Sequence, residues 1–557
     1  MNASAIRSPH GRVTIYNLPP SPARWDAVGV FYMIFSATWT VIVLIGMIFC
    51  WLNRQSPVLR IRGLPLSFAS ITTLHIYWVL AQIAYPIGPT IPVVLAYDFR
   101  YFFMGIWLAL GIALLHASNL RFLHIAKLQK QFTHAEIRSW DDRSRVESSW
   151  LSRLRHMSFA RRVILFVGAA MVLQVLLVVS MWLSREKYHP TFGIAGTGIQ
   201  SWTVAEQIVE LGRGWEWWPT VLWLAIWTWM VAPFILFRAW SIRDTMGWRV
   251  QTIGCCIASL HAVPMFMIAK YVPAFVPVNV YMDPSQWIHL SIMLFEVFAT
   301  FVPAFQVLKL KSIQKKAASS SNNWEMATRT ATLRTPTSSS DIKFAYSSSA
   351  AEKGQVQETS LAGDDLQSYL LTMEALEHVL NCNTDSLQEF SALCDFSGEN
   401  IAFITRASAL RSMQINSLGE QSRQEVFERA LGIYIDFISP SHAVFPLNLP
   451  RQELRQLEAV FKRSARAIIG AAPTSLATPN DSQSQLNDGG SDAGTQFTGE
   501  VPEIFDLFVF DKAVSHVKYL VLTNTWPKFV VEMQRRKRVD ETSGSVRSGS
   551  TVGSGVS

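Results

Sequence analysis

Seven apolar stretches, each of about 20 residues or more, follow one another between Val28 and Leu308. A helix needs about 20 residues to cross the hydrocarbon of a bilayer, and in lipid its backbone groups must bond within their own segment. Repetition on this scale selects a helical membrane bundle. The expected spans are Val28–Leu52, Leu64–Ile87, Tyr101–Leu120, Val163–Leu183, Trp218–Phe237, Gln251–Tyr271 and Trp287–Leu308. Residues 1–27 precede them as an N-terminal tail without the apolar core of a cleavable signal, so the first span is expected to direct insertion.

Composition agrees. With 557 residues, half of them hydrophobic, and 20 Trp and 33 Phe, the chain is too large and too apolar for one soluble domain. Its net charge of +8 does not point to nucleic acid. The basic residues sit mostly in short loops between apolar runs, and from Asp364 to Glu532 acids outnumber bases nearly two to one. Of the five cysteines, Cys50, Cys255 and Cys256 lie in spans, and Cys382 and Cys394 in the second half. No Cys/His set has metal-ligand spacing, so no metal site, disulfide framework or cofactor is expected.

Basic residues orient a bundle, because loops rich in Lys and Arg stay cytosolic. The loop after the first span holds Arg54, Arg60 and Arg62, and that after the third runs from Arg121 to Arg162 with ten basic residues. Arg238, Arg243 and Arg249 follow the fifth, and Lys309, Lys311, Lys315 and Lys316 the seventh. The N-terminus is therefore expected outside and the C-terminus in the cytosol of a multi-pass protein of the plasma membrane. Arg7, Arg12 and Arg24 oppose this mildly, and Asn2-Ala3-Ser4 is a glycosylation sequon at the extreme terminus.

Ionisable groups at bilayer depth are costly, which marks them as candidates for function. His75, His261 and Glu296 each fall about halfway along a span, where a His and carboxylate pair binds a polar ligand, responds to protonation, or simply ties helices together. Lys270 lies near an outer end, where snorkelling explains it. The seventh span has no deep lysine for a retinal Schiff base, and buried charges are too few for a transport pathway. Trp223, Trp227 and Trp229 read as packing surface.

Beyond the spans, residues 309–362 form a Ser/Thr-rich tether expected to be disordered. Residues 363–533 read as a soluble helical bundle interrupted at about 471–499 by a low-complexity insertion, and 534–557 as a basic, Ser/Gly-rich tail. Phe427, Ala430, Leu431, Tyr434, Phe437 and Ile438 recur at helical spacing, as do Leu454, Leu457, Phe461, Ala465 and Ile468 after Pro450. The fold class is therefore all-α throughout: a seven-helix membrane bundle followed by a soluble helical one.

The run LQEFSALCDFSGENIAFI from Leu387 to Ile404 resembles the early block of the regulator-of-G-protein-signalling (RGS) domain, IYIDFISPSHAVFPLNL its middle helix and Asn-Leu loop, and FDKAVSHVKYLVLTNTWPKFV its late helix pair. The three blocks keep family order from about Ser368 to Met533, and with seven spans in front the layout resembles the fungal-type receptor/RGS hybrids. The resemblance implies a nine-helix domain that binds a GTP-bound Gα subunit and speeds its GTP hydrolysis, with no catalytic residue of its own. A ligand bound by the membrane bundle would control that action. A G-protein-coupled receptor, or a Gα-binding scaffold with a weak RGS domain, is the alternative.

The resemblance places Glu399 and Asn400 in the first Gα-contact turn, Asn448 in the loop that reaches the Gα glutamine, and Leu520, Asn524, Thr525 and Lys528 on the late contact segment. Where the family has an Asp and Arg pair this chain has Asn524 and Lys528, so loss of an ion pair is expected. Gly398 replaces an often acidic residue, and Ile404 a common Trp.

Overall fold

The computed structural model describes residues 13–133, 159–189, 191–334, 369–413, 420–470 and 500–548. Among these the chain is helical and has no strand beyond an isolated bridge between Arg185 and Ile194. The Asn2 sequon, Arg7 and Arg12, most of the basic loop between Arg121 and Arg162, the linker from 335 to 362, the insertion at 471–499 and the tail from 549 lie outside the described residues.

Among the described residues, seven helices are long and apolar enough to cross a membrane: α1 Ala27–Leu52, α2 Leu64–Thr90, α3 Val93–Thr133, α4 Phe159–Leu183, α5 Val204–Trp240, α6 Trp248–Tyr271 and α7 Gln286–Ser320. Each contains or overlaps one expected span, and three run well past it. Helix α3 starts eight residues early because its hydropathy-lowering residues are paired: the Trp182 indole donates to Asp98 (2.8 Å) and Arg100 donates to Asp283 (2.8 Å). In α5 an amphipathic segment, Val204–Leu211, precedes the apolar part, its start fixed by a reciprocal Thr203 and Glu206 capping box. Helical structure also continues beyond α7 to Arg334, which corrects the expected start of the linker at Lys309. Ala, Lys and Gln between Lys309 and Ala318 are good helix formers and extend the turn already nucleated inside the bundle.

The chain divides into two compact units, residues 1–128 with 148–308, and residues 129–147 with 309–557. In the first, α3 is the central helix, with 67% of its most apolar window buried against 17% for α4, whose Ile164, Phe166, Val172 and Leu176 face outward as lipid-facing residues should. Its core joins Leu74 and Trp78 of α2, Leu108 and Ile112 of α3, Leu224 of α5, Cys255 of α6 and Ile292 and Phe295 of α7. Close helix contact rests on small residues: a Cβ at Gly254 would stand 2.5 Å from the Phe298 ring, and one at Gly111 2.6 Å from Leu74.

Prolines shape the long helices. Helix α6 breaks at His261 because Pro264 supplies no amide proton and its ring crowds the carbonyl four residues back. Widened turns at Ile226–Val231 and Val297–Phe301 each end two residues before a proline, Pro233 and Pro303, and a third at Val521–Thr525 does the same before Pro527.

The second unit's described part holds α8 Met373–Cys382, α9 Thr384–Leu393, α10 Gly398–Met413, α11 Glu420–Ile433, α12 Arg451–Gly470, α13 Asp511–Leu520 and α14 Trp526–Ser548. The two periodic runs behave as their spacing requires. Phe427, Ala430, Leu431, Tyr434, Phe437 and Ile438 are all buried, and α12 turns Leu457, Phe461 and Ala465 inward. Phe461 is the hub, stacked on Tyr434, Phe427 and Phe510 at centroid distances of 5.3, 5.7 and 5.6 Å. Residues Lys130–Thr133 form one further turn of this unit, and Phe132 belongs to its core.

Candidate functional site

Two of the three mid-span polar residues meet. Glu296 is fully buried and accepts hydrogen bonds from the Trp39 indole on Oε2 and from His75 Nδ1 on Oε1 (2.8 Å). The Thr40 hydroxyl donates to the Ser36 carbonyl (2.7 Å), so it accepts from His75 Nε2–H (3.0 Å). Nδ1 and Glu296 therefore share one proton, as imidazolium with carboxylate or as imidazole with carboxylic acid, and the pair is neutral in both forms. Helices α1, α2 and α7 are tied together through this cluster, next to the widened turn Val297–Phe301.

His261 is not part of it. The break at Pro264 shifts its register, and its Nε2 instead meets the Ser291 hydroxyl at 3.2 Å. Trp39 and Thr40 went unnoticed in the sequence because an aromatic and a hydroxyl residue are unremarkable in an apolar helix. His116 was also passed over; it is fully buried, stacked on Trp227 at 5.7 Å, with neither ring nitrogen bonded among the described residues. Of the tryptophans read as packing, Trp223 donates to the Ala109 carbonyl (2.9 Å) and Trp227 faces His116, while Trp229 is exposed.

In the second unit, the residues assigned to the early and late blocks converge on a carboxylate that the sequence reading did not single out. Asp395 is fully buried in the turn between α9 and α10. Lys528 Nζ donates to its Oδ1 (2.6 Å), and the hydroxyls of Thr525 (2.8 Å) and Ser397 (3.1 Å) donate to its Oδ2. Asn524 carries no charge to pair with Lys528, whose ion pair is made instead with Asp395 in the turn between α9 and α10. The same turn holds Phe396 at φ 48°, in the left-handed region that a non-glycine residue occupies only when its surroundings fix it. Ser397 N–H to the Ser391 carbonyl (2.8 Å) and the Asp395 bonds supply that fixing.

The widened turn before Pro527 carries Asn524 and Thr525 inward. Thr525 is buried, and so is Asn524, whose Oδ1 has no hydrogen-bond partner among the described residues. Leu520 and Asn400 are half-buried, and Asn448 is exposed. The Asn448 carbonyl meets His516 Nε2 (3.2 Å), one helical turn before Leu520 on the same face of α13.

Between the Gly398–Asn400 turn and the Asn448 loop lies the segment Gln129–Thr133. Gln129 Nε2 donates to Glu399 Oε2 (3.0 Å), and Gly398 N–H donates to Gln129 Oε1 (3.1 Å). Phe132 packs on Phe445 and Phe437 at centroid distances of 5.9 and 6.4 Å. A Cβ at position 398 would stand 2.8 Å from the Cβ atoms of Phe132 and Ala392, which accounts for the glycine there. Glu399 is consequently only 7% exposed. Periodicity does not report this, because the two partners are some 270 residues apart in sequence.

No group of three or more His, Cys, Asp or Glu suited to a metal ion occurs among the described residues. Compared with models of known families, with curated proteins and with solved structures, the chain matches none.

Proposed function

We propose that the second unit is an RGS-type domain that binds a GTP-bound Gα subunit and speeds its GTP hydrolysis, held at the plasma membrane by the seven-helix bundle with its N-terminus outside. One observation carries the reading: the Asp395–Asn400 turn and the Asn524–Lys528 turn, more than 120 residues apart, are fastened together through Asp395. A fixed pair of turns and an exposed Asn448 are what holding flexible nucleotide switches requires. Such a helper needs no acid, base or metal, because Gα carries its own arginine and glutamine. Each tenfold acceleration takes about 1.4 kcal/mol of preferential binding to the transition-state shape, within reach of a few oriented hydrogen bonds.

Thr525 and Lys528 then act as positioning residues, and Asn448 as the direct contact. Glu399 reaches a partner only when Gln129 releases it. That same contact favours a second reading, a scaffold or receptor whose RGS-type domain binds Gα without speeding hydrolysis.

Binding to nucleotide states separates the proposal from an unrelated role. Full-length protein in lipid nanodiscs should capture Gα loaded with GDP and aluminium fluoride more strongly than Gα loaded with GDP alone. Equal capture of both forms, or of neither, would count against it.

A further inference from the structure

A small cavity lies between α3, α5 and α6, at the end of the bundle that carries residues 184–203 and 272–285. Its lining includes Tyr97, Arg100, Gly212, Trp217, Phe266 and Lys270. The charges around it are unequal. Arg100 is committed to Asp283, which also accepts from the Ser285 hydroxyl and amide (2.8 and 2.9 Å). Glu216, a fully buried carboxylate nearby, is held by Lys187 and by Arg185 (3.2 Å). Arg213 adds a further positive charge, donating to the Lys270 carbonyl (2.8 Å) and lying over the Tyr271 ring (5.4 Å).

Lys270 is left over. Its ammonium has no hydrogen bond or ion pair among the described residues, and Nζ lies 2.9 Å from where a Gly212 Cβ would stand. A second donor on the same cavity is the Trp217 indole nitrogen, buried without an acceptor among the described residues. Two donors that no protein acceptor takes among the described residues, one of them charged and half-buried, suit a negatively charged oxygen ligand. The free space is about 30 Å³. That admits a group the size of two or so water molecules, such as a carboxylate.

We propose that this cavity binds a small monocarboxylate anion, its oxygens taken by the Lys270 ammonium and the Trp217 N–H and its short apolar part lying against Phe266. This site is distinct from the His75–Glu296 cluster, whose groups are all mutually bonded. Binding here does not depend on the second unit's action on Gα.

The test uses purified full-length protein in lipid-free detergent micelles, with thermal unfolding followed at rising sodium acetate against sodium chloride of equal ionic strength. Acetate should raise Tm in a saturable way and chloride should not. Lys270→Gln should weaken acetate binding about tenfold or more, as loss of a charge-assisted hydrogen bond does, and Lys270→Arg should keep most of it. Gly212→Val, which fills the space and crowds the ammonium, should also weaken it, as should Trp217→Phe to a smaller extent. An equal rise with chloride, a rise with short-chain phosphatidylglycerol but not with acetate, or unchanged acetate binding in both Lys270→Gln and Gly212→Val would overturn the proposal.

Discussion

Glu296 and Asp395 are both fully buried carboxylates, one in each unit, and each is held by donors from other helices. Removing the carboxylate leaves those donors unpaired, which costs more than the bond was worth. Glu296→Leu should therefore destabilise the bundle by about 1–3 kcal/mol. Glu296→Gln, which can still donate to His75 and accept from Trp39, should cost clearly less; equal losses in Tm for the two variants would contradict the shared-proton pair. In the second unit, Lys528→Met strands a buried charge and should destabilise by about 3 kcal/mol, while Lys528→Arg retains most of the stability. Denaturant unfolding followed by circular dichroism checks this, and a neutral Lys528→Met would show that the ion pair carries no weight.

His75 and Glu296 were legible in the sequence because a charged group in an apolar run has few reasons to be there. His261 misled because a proline three residues on changes which way it faces. Asp395 was not legible at all, since its role exists only once two distant turns meet.

At the level of elements, the placement of the helices followed from hydropathy and periodicity. Their ends did not, because what extends them is tertiary: Asp98 and Arg100 are tolerated in α3 through Trp182 and Asp283, and neither partner is near them in sequence. The turn Gln129–Thr133 is the element with the most direct consequence, since it covers Glu399 and takes the Gly398 amide. Gln129→Ala should remove both bonds, so hydrogen exchange at the Gly398 amide should speed up measurably while the buried amides of α12 stay protected. If Glu399 is a Gα contact, the same variant should also raise the protein's effect on GTP hydrolysis. Unchanged exchange at Gly398 would mean the segment does not hold the turn.

For the whole molecule, the seven-helix count and the helical second unit could be read before any coordinates, because lipid imposes lengths and compositions that few other environments do. Sidedness rests on the loop charges. Cys382 tests it conveniently, as the one exposed thiol of the five, the others being buried. A membrane-impermeant maleimide should label Cys382 in permeabilised cells and not in intact ones, and Cys382→Ser should abolish the signal. Labelling in intact cells would reverse the proposed topology.

The proposed action on Gα is tested most directly by single-turnover GTP hydrolysis with full-length protein in nanodiscs and with its Asn448→Ala variant. Asn448 is exposed and meets His516 only through its backbone carbonyl, so the substitution leaves the fold intact. The unaltered protein should speed hydrolysis by at least one Gα of the host at least tenfold, and Asn448→Ala should lose most of that acceleration at unchanged Tm. Hydrolysis at the intrinsic rate with every Gα, or the same acceleration with Asn448→Ala, would contradict the central claim.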